Sequence, residues 1–517
     1  MSFVSPIVAA AKRSRIDVMA SRPLLVALLV VAVFTALRLT GTVDSDVAWQ
    51  LWIAGRMHAG AQLYRDIIEV NPPLWFWMAL PVDRVSTLLQ LRIEAVLTLA
   101  VGCFAAVSLA ATDRFLIHLE PRRHTMLLAF AAVALLGISW VHMGQREQIA
   151  LIGTLPYCAL IAARREGKSV SPRLAFLIGV LAAAGFALKH YFLLIPALLE
   201  LWLLSGKGRS WRPLRPETIA IAVIGALYVI AVLLWAPAFL TTVVPLIRLS
   251  YGGLGAPGLQ DLVGPYAAVG LASLAMLAAH AKALRKASLA SALAVAALGF
   301  TAAYFIQAKG WNYHTIPILG CSSLAIAALL AESGAPMRLL RLAGPAFLAL
   351  PLLFTAQEKR HAMLPSPDLN AAVAGVQPGE SVGFLTTETA VPWSVTLQHK
   401  LGYPSRYMGF WMLPAIVQNE ALGSPDPRLA ALGRQIVAET VHDFACSPPR
   451  RIIVARPRPG ETGFDILPFF ERDPQFTALL SHYRSAGRTT FDVYELATPL
   501  PSVRGCTATA QLPSKHR

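Results

Sequence analysis

Eleven apolar runs, each close to the ~20 residues that a helix needs to cross a hydrocarbon layer, leave this chain few folds other than a bundle of membrane helices. The first spans Pro23 to Leu39 and is interrupted only by Arg38 near its end. The others centre near residues 99, 134, 155, 181, 198, 227, 271, 298, 323 and 348. Those around Pro156 and Pro196 contain proline, which a membrane helix tolerates when its neighbours satisfy the freed carbonyls. Apolar residues make up 56% of the chain and charged residues 14%. Soluble domains average roughly 45–50% and about 25%, so a single aqueous core would not bury the surplus.

The averages conceal two regions. Charged residues are sparse and clustered up to Arg341 and evenly mixed after Gln357. The expected organisation is therefore a polytopic α-helical membrane domain over residues 1–356, including a long first outer loop at 41–87. A small soluble α/β domain follows over 357–500, and then a disordered tail over 501–517. The run at Pro23–Leu39 follows Lys12, Arg13, Arg15 and Arg22, as a signal peptide would. It is long for such a segment and no small-residue cleavage site follows, so it reads as a retained first helix.

Lysine and arginine in the short loops set the orientation. Arg114, Arg122 and Arg123; Arg164, Arg165, Lys168 and Arg173; Lys207, Arg209, Arg212 and Arg215; Lys282, Arg285 and Lys286; and Arg338 with Arg341 fall in alternate loops. With the N-terminus these loops should be cytoplasmic. An odd number of crossings then places the soluble domain outside the cytoplasm. The basic pI of about 9.9 reports topology in this reading, and no nucleic-acid partner is expected. The cysteines show no C-x-x-C spacing, so zinc and thioredoxin-like chemistry have no support. Cys103, Cys158 and Cys321 read as core residues, whereas Cys446 and Cys506 share the soluble domain, where an oxidising compartment would allow them to pair.

The polar residues of the outer face are few and grouped. The first outer segment carries Asp44, Asp46, Arg56, Tyr64, Arg65, Asp66, Glu69 and Asn71 before Pro72-Pro73. Within it, Val47 to His58 has the spacing of a short amphipathic helix lying along the membrane interface. Three more outer segments read His142 to Gln148, Lys189-His190-Tyr191, and Gln307 to His314. Ionisable groups at membrane depth are costly unless paired or functional, and one shared outward cavity would account for all four segments.

Specific residues of these segments resemble a known family. Asp46-Val47-Ala48-Trp49, Gly60, Leu63-Tyr64-Arg65-Asp66 and Glu69-Val70-Asn71-Pro72-Pro73-Leu74 resemble the first outer loop of the GT-C glycosyltransferases. The likeness is greatest to the branch that holds protein O-mannosyltransferases and lipid A aminoarabinose transferases. That family has a D-E-A-Y-like motif after the first helix, then a G-x-x-x-Y-x-D and N-P-P-L pair. The resemblance implies a GT-C-like membrane fold in the bacterial cytoplasmic (inner) membrane. It also implies transfer of a sugar from a polyprenyl-phosphate carrier to a glycan, lipid or protein acceptor of the cell envelope, outside the cytoplasm. By position it makes Asp46 the catalytic base. Val47 stands where the second acid of the motif belongs, and Asp44 offers a substitute. An Asp44–Asp46 pair could hold a divalent cation, Mg or Mn, although a D-x-D triplet is too common to establish one.

The chemistry makes the same demands without the family. A sugar on a lipid phosphate already has a leaving group, so the protein must activate an acceptor hydroxyl and stabilise the departing phosphate. Asp46 suits the first task. Arg146, Lys189, His190, Lys309 and His314 are candidates for the second, with Arg146 offering two parallel donors. Tyr64, Asp66, Glu69, Asn71, Glu147, Trp311 and Tyr313 are candidates for sugar or acceptor binding. Asp66 and Glu69 could instead hold the loop or orient one of these cations, with the structural role placed slightly ahead for Glu69, and for Trp311 and Tyr313 anchoring at the membrane interface among lipids is an equal alternative. Direct attack by the acceptor would invert the anomeric centre.

In the soluble region, Ser381–Leu385, Arg451–Ala455 and Thr489–Leu496 have strand character, and Pro427–Val441 and Phe470–Ser485 helical character. His442 and Asp443 read as a satisfied surface pair. Two rival functions stand beside the transferase: a secondary transporter, which would predict internal repeats and charges inside helices, and a non-catalytic envelope scaffold.

Overall fold

Every one of the eleven apolar runs is centred on a helix. The structure is a computed structural model that describes residues 22–251, 258–332, 338–362, 366–393, 395–457, 464–501 and 506. The cluster Lys12–Arg15 and most of the tail lie outside the described residues. Among those described, six helices are long and apolar enough to cross a membrane: Ile93–Leu116, His190–Ser210, Pro216–Trp235, Ser288–Gln307, Asn312–Glu332 and Leu340–Gln357. Pro23–Arg38, Pro172–Phe186, Phe239–Ser250 and Pro265–Ala279 are shorter apolar helices. These lengths and compositions are those of a multi-pass membrane protein. Phe239–Ser250 matches none of the eleven runs, because Thr241, Thr242, Pro245 and Arg248 dilute its hydropathy.

Two compact units make up the chain. The first is Met1–Gly41, Gln90–Ile230 and Pro257–Ala362, and the second is Thr42–Leu89, Ala231–Ala256 and Met363–Arg517. In the first unit, small residues let helices approach through their backbones, the usual means of packing where no water drives association. A Cβ on Gly153 would lie 2.7 Å from the Leu181 carbonyl oxygen, and one on Gly185 would lie 2.7 Å from Ala150 Cα. Arg146–Arg165 and Pro172–Phe186 thus meet with no room for a side chain. Gly185→Val should therefore destabilise the unit by roughly 1–3 kcal/mol, read as a lower thermal midpoint in detergent. An unchanged midpoint would contradict the close approach.

Part of the basic-loop set is folded into this unit as well. Glu217, fully buried, accepts from Arg164 Nε at 3.1 Å and Arg215 Nε at 2.8 Å, and Arg215 also reaches Glu200. A buried carboxylate held by two guanidiniums keeps its charge compensated.

The second unit contains a four-stranded sheet: β1 (Val382–Leu385), β2 (Arg451–Ala455), β3 (Tyr483–Arg488) and β4 (Phe491–Leu496), in the order β1-β2-β4-β3. β1 pairs β2 in parallel, and the other two pairings are antiparallel. The helix Pro427–Cys446 contributes Ile436 and Phe444 to a core with Phe410, Ile452, Phe470 and Phe476. The expected helix over Phe470–Ser485 is instead two short helices, Ile466–Glu471 and Pro474–Leu480, followed by β3. Asp473 and Pro474 restart the helix, with Asp473 accepting from Gln475 N at 2.8 Å. After Leu480 the chain pairs with β4, leaving Arg484 to Arg488 exposed along the sheet edge.

The Cys446–Cys506 disulfide is formed. The pairing of His442 with Asp443 is not what the fold contains. Asp443 receives Arg406 Nη2 at 2.7 Å and Nε at 3.0 Å, while His442 faces Cys446 Sγ at 3.6 Å. On a helix, adjacent residues point in different directions, so His442 and Asp443 find different partners. Burial raises the Asp443 carboxyl above its ordinary value even against the pull of Arg406.

Candidate functional site

The first-loop residues belong to the second unit and fold from Thr42 onward as one hydrogen-bonded piece. Asp44 caps the helix Ser45–His58, its carboxylate accepting from Val47 N at 2.9 Å. Asp46 follows in the first turn, where the helix N-terminus favours negative charge. Among the described residues no group of three or more His, Cys, Asp and Glu side chains is placed to hold a metal ion. One oxygen of Asp44 is already committed to the cap.

The rest of the motif shapes the loop. Gly60 has φ +99° and Tyr64, without glycine's freedom, φ +71°. Tyr64 N donates to Ile67 O at 2.8 Å, and Asp66 Oδ2 accepts from Gln62 N at 2.7 Å, closing the turn between them. The Tyr64 hydroxyl donates to Asn71 O at 2.6 Å. Glu69 is 3% exposed. One of its oxygens accepts from Trp49 Nε1, and the other from Asn71 N at 2.7 Å and Asn71 Nδ2 at 2.6 Å. The motif Glu69-Val70-Asn71 is thereby tied to the helix that carries Asp46. Glu69→Ala would leave the buried Trp49 Nε1 and two half-buried donors of Asn71 without their acceptor, and should lower stability by roughly 2–4 kcal/mol, seen in thermal unfolding of the full chain. A loss below about 0.5 kcal/mol would refute this structural role.

The aromatic side of Ser45–His58 packs on protein. Trp49 lies 4.8 Å from Trp393 and 5.0 Å from Trp52 between ring centroids, and Trp52 lies 5.7 Å from Tyr403. Arg56 lies over Trp52 at 5.4 Å. Burial pushes its guanidinium below the ordinary value, against the attraction of Asp66 and Asp443. Gln50, one turn after Asp46, is 1% exposed, and its Oε1 has no hydrogen-bond partner among the described residues. Sequence reasoning passed over Gln50, since a glutamine within an aromatic helix carries no motif.

The three remaining outer segments all lie in the first unit, and its fold brings most of their polar groups together. The turn before the helix Arg146–Arg165 depends on Gly144, at φ +86° and with its N donating to Gln148 Oε1 at 2.7 Å. It sets Arg146 and Glu147 in the first helical turn, 3% and 1% exposed. Glu147 Oε1 accepts from Lys189 Nζ at 2.5 Å. Lys189 also meets His314 Nε2 at 3.0 Å and Gln307 Oε1 at 3.2 Å. Two left-handed residues, Ala308 and Gly310, reverse the chain after Ser288–Gln307 and bring His314 to the same ammonium as Gln307. Gln307 was not among the sequence candidates, because only that reversal reveals its role.

Around this cluster, Tyr313 lies 4.6 Å and Trp311 5.3 Å from the His314 ring, centroid to centroid. Trp311 is 45% exposed. Lys309 is half-buried, and burial pushes its ammonium below the ordinary value. His190 is exposed and packs on Tyr191, with centroids 3.9 Å apart. Glu147, Lys189, Gln307, Tyr313 and His314 thus form one cluster, and His190 turns away to the surface.

No protein-family model matches the chain, and no curated protein is detectably similar in sequence. Among solved structures, ArnT from Cupriavidus metallidurans in the apo state aligns with a TM-score of 0.50 at 13% identity, covering 95% of this chain and 100% of that one. The same protein bound to undecaprenyl phosphate aligns at 0.49 and 14% identity, over 95% and 98%. Such low identity shows the fold alone: this chain has the fold of ArnT, apolar helices with a small sheet domain at the C-terminus.

Proposed function

We propose that the chain is a bacterial inner-membrane glycosyltransferase. It moves a sugar from a polyprenyl-phosphate carrier to a glycan, lipid or protein acceptor of the cell envelope, outside the cytoplasm. The observation that carries this reading is the first-loop motif. Its residues from Asp44 to Asn71 fold into one hydrogen-bonded loop with Asp46 in the first turn of the helix that follows the cap. The ArnT-like fold supports it.

In this mechanism Asp46 takes the proton of the acceptor hydroxyl as its oxygen bonds to the anomeric carbon. The bond from that carbon to the phosphate oxygen breaks, and the carrier leaves as the polyprenyl phosphate. A single displacement inverts the anomeric centre. The phosphate's charge is met by Arg146, whose guanidinium can donate two parallel bonds, and by Lys309. Lys189 is already surrounded by three acceptors and serves the site by position.

The test uses the purified full chain in lipid nanodiscs, with radiolabelled undecaprenyl-phosphate sugars and an extract of envelope acceptors. Label should move to an acceptor, and Arg146→Ala or Lys309→Ala should weaken donor binding by about tenfold or more. No transfer from any donor would retire the reading, and unchanged donor affinity in both variants would remove the phosphate contacts.

A further inference from the structure

An ammonium has three hydrogens and no lone pair. Around Lys189 stand Glu147 Oε1, His314 Nε2 and Gln307 Oε1, at 2.5, 3.0 and 3.2 Å. Nε2 can face that donor only as an acceptor, so the proton of the neutral His314 ring sits on Nδ1. His314 Nδ1 and Glu147 Oε2 are both buried, and neither has a hydrogen-bond partner among the described residues. Their residues are 4% and 1% exposed. Buried polar atoms are nearly always satisfied, so an unanswered donor and acceptor in one cluster point to a ligand.

Charge decides which kind. Glu147 Oε2 can only accept, and an ionised phosphate has no hydrogen to give it and would be repelled by the carboxylate at that position. Hydroxyl groups answer both atoms, because each can accept from an N–H and donate to a carboxylate. Neighbouring hydroxyls on a sugar ring supply two such groups, and the Trp311 and Tyr313 rings beside His314 offer aromatic faces.

We propose that the Glu147–Lys189–His314 cluster is a subsite for the hydroxyls of the transferred sugar, with His314 Nδ1–H as donor, Glu147 Oε2 as acceptor and Lys189 holding both in place. The subsite rests on the glycosyl-carrier reading above and narrows it, since the phosphate then falls to Arg146 and Lys309.

The test measures affinity of the full chain in nanodiscs for undecaprenyl phosphate, bare and carrying glucose, mannose or 4-amino-4-deoxyarabinose. At least one glycosylated lipid should bind more tightly than the bare one. His314→Gln keeps an acceptor for Lys189 and loses the Nδ1 donor, so it should abolish that advantage, about tenfold, and leave bare-lipid affinity unchanged. His314→Asn, which restores a donor near Nδ1, should recover part of it. Nitrogen-15 spectra of labelled histidine in the unmutated chain should show His314 protonated at Nδ1, a readout independent of any variant's folding. Equal loss for bare and glycosylated lipids would make His314 a phosphate ligand and overturn the subsite alone. So would a proton on Nε2, or no preference for any glycosylated lipid. If the unmutated chain binds neither form, the carrier reading itself fails and takes the subsite with it.

Discussion

Asp46→Asn should leave the chain folded and reduce sugar transfer by about a thousandfold, within the 10²–10⁴ range that a positioned general base contributes. The substitution keeps the shape of the side chain and its place in the first turn of Ser45–His58, while the Asp44 cap and the Glu69 hydrogen bonds are untouched. Affinity for the donor should therefore stay within a few fold, so that the loss falls on kcat. Asp44→Asn provides the contrast: an amide oxygen can still cap the helix, and transfer should drop far less. Full transfer by Asp46→Asn would remove the base. A comparable loss in both variants would place the essential charge on the Asp44–Asp46 pair rather than on one carboxylate.

Lys189→Met should have the largest effect on stability. It removes the ammonium from Glu147, leaving a carboxylate 1% exposed with no counter-charge from that side chain, and an uncompensated buried charge costs roughly 3–5 kcal/mol. Glu147→Leu added to Lys189→Met should recover most of that loss, because replacing both members of a buried pair with apolar groups is often neutral. The non-additivity, at least roughly 2 kcal/mol in a thermal or denaturant cycle in detergent, is the measurement. Simple addition of the two effects would mean that the pair is not coupled. Even with stability recovered, the double variant should remain poor at transfer, since His314 would have lost the group that fixes its tautomer.

The helices were legible because the bilayer imposes a length and a composition that every run from Pro23 to the one near residue 348 displays. Phe239–Ser250 escaped because threonine, proline and arginine interrupt it, and β3 because its exposed residues alternate with nothing buried beyond Tyr483. Of the site, residue types were legible and partners were not. Asp46 stood out by its place in the motif and Asp44 only as a substitute for the missing second acid, with nothing to show that it caps the helix, and Lys189 and Lys309 looked alike. What separates the two lysines is a set of acceptors drawn from helices and turns far apart in sequence, Glu147, Gln307 and His314, and no local pattern encodes that convergence. The same holds for Trp49: its spacing announced an amphipathic helix, but only the fold shows that Trp393 and Tyr403 supply its cover.

That cover has a consequence for how the protein is made. The second unit draws on three stretches of chain, and the first of them, Thr42–Leu89, emerges from the ribosome long before Trp393, Tyr403 or Cys506 exists. Pairings so distant along the chain form late and expose apolar surface meanwhile. During synthesis the tryptophan-rich first loop must therefore wait, half-finished and sticky, for the last third of the protein to be made. A messenger truncated near the codon for Ala362 would yield a product that keeps its long apolar helices yet never buries Trp49. Quality-control proteases should clear such a product quickly.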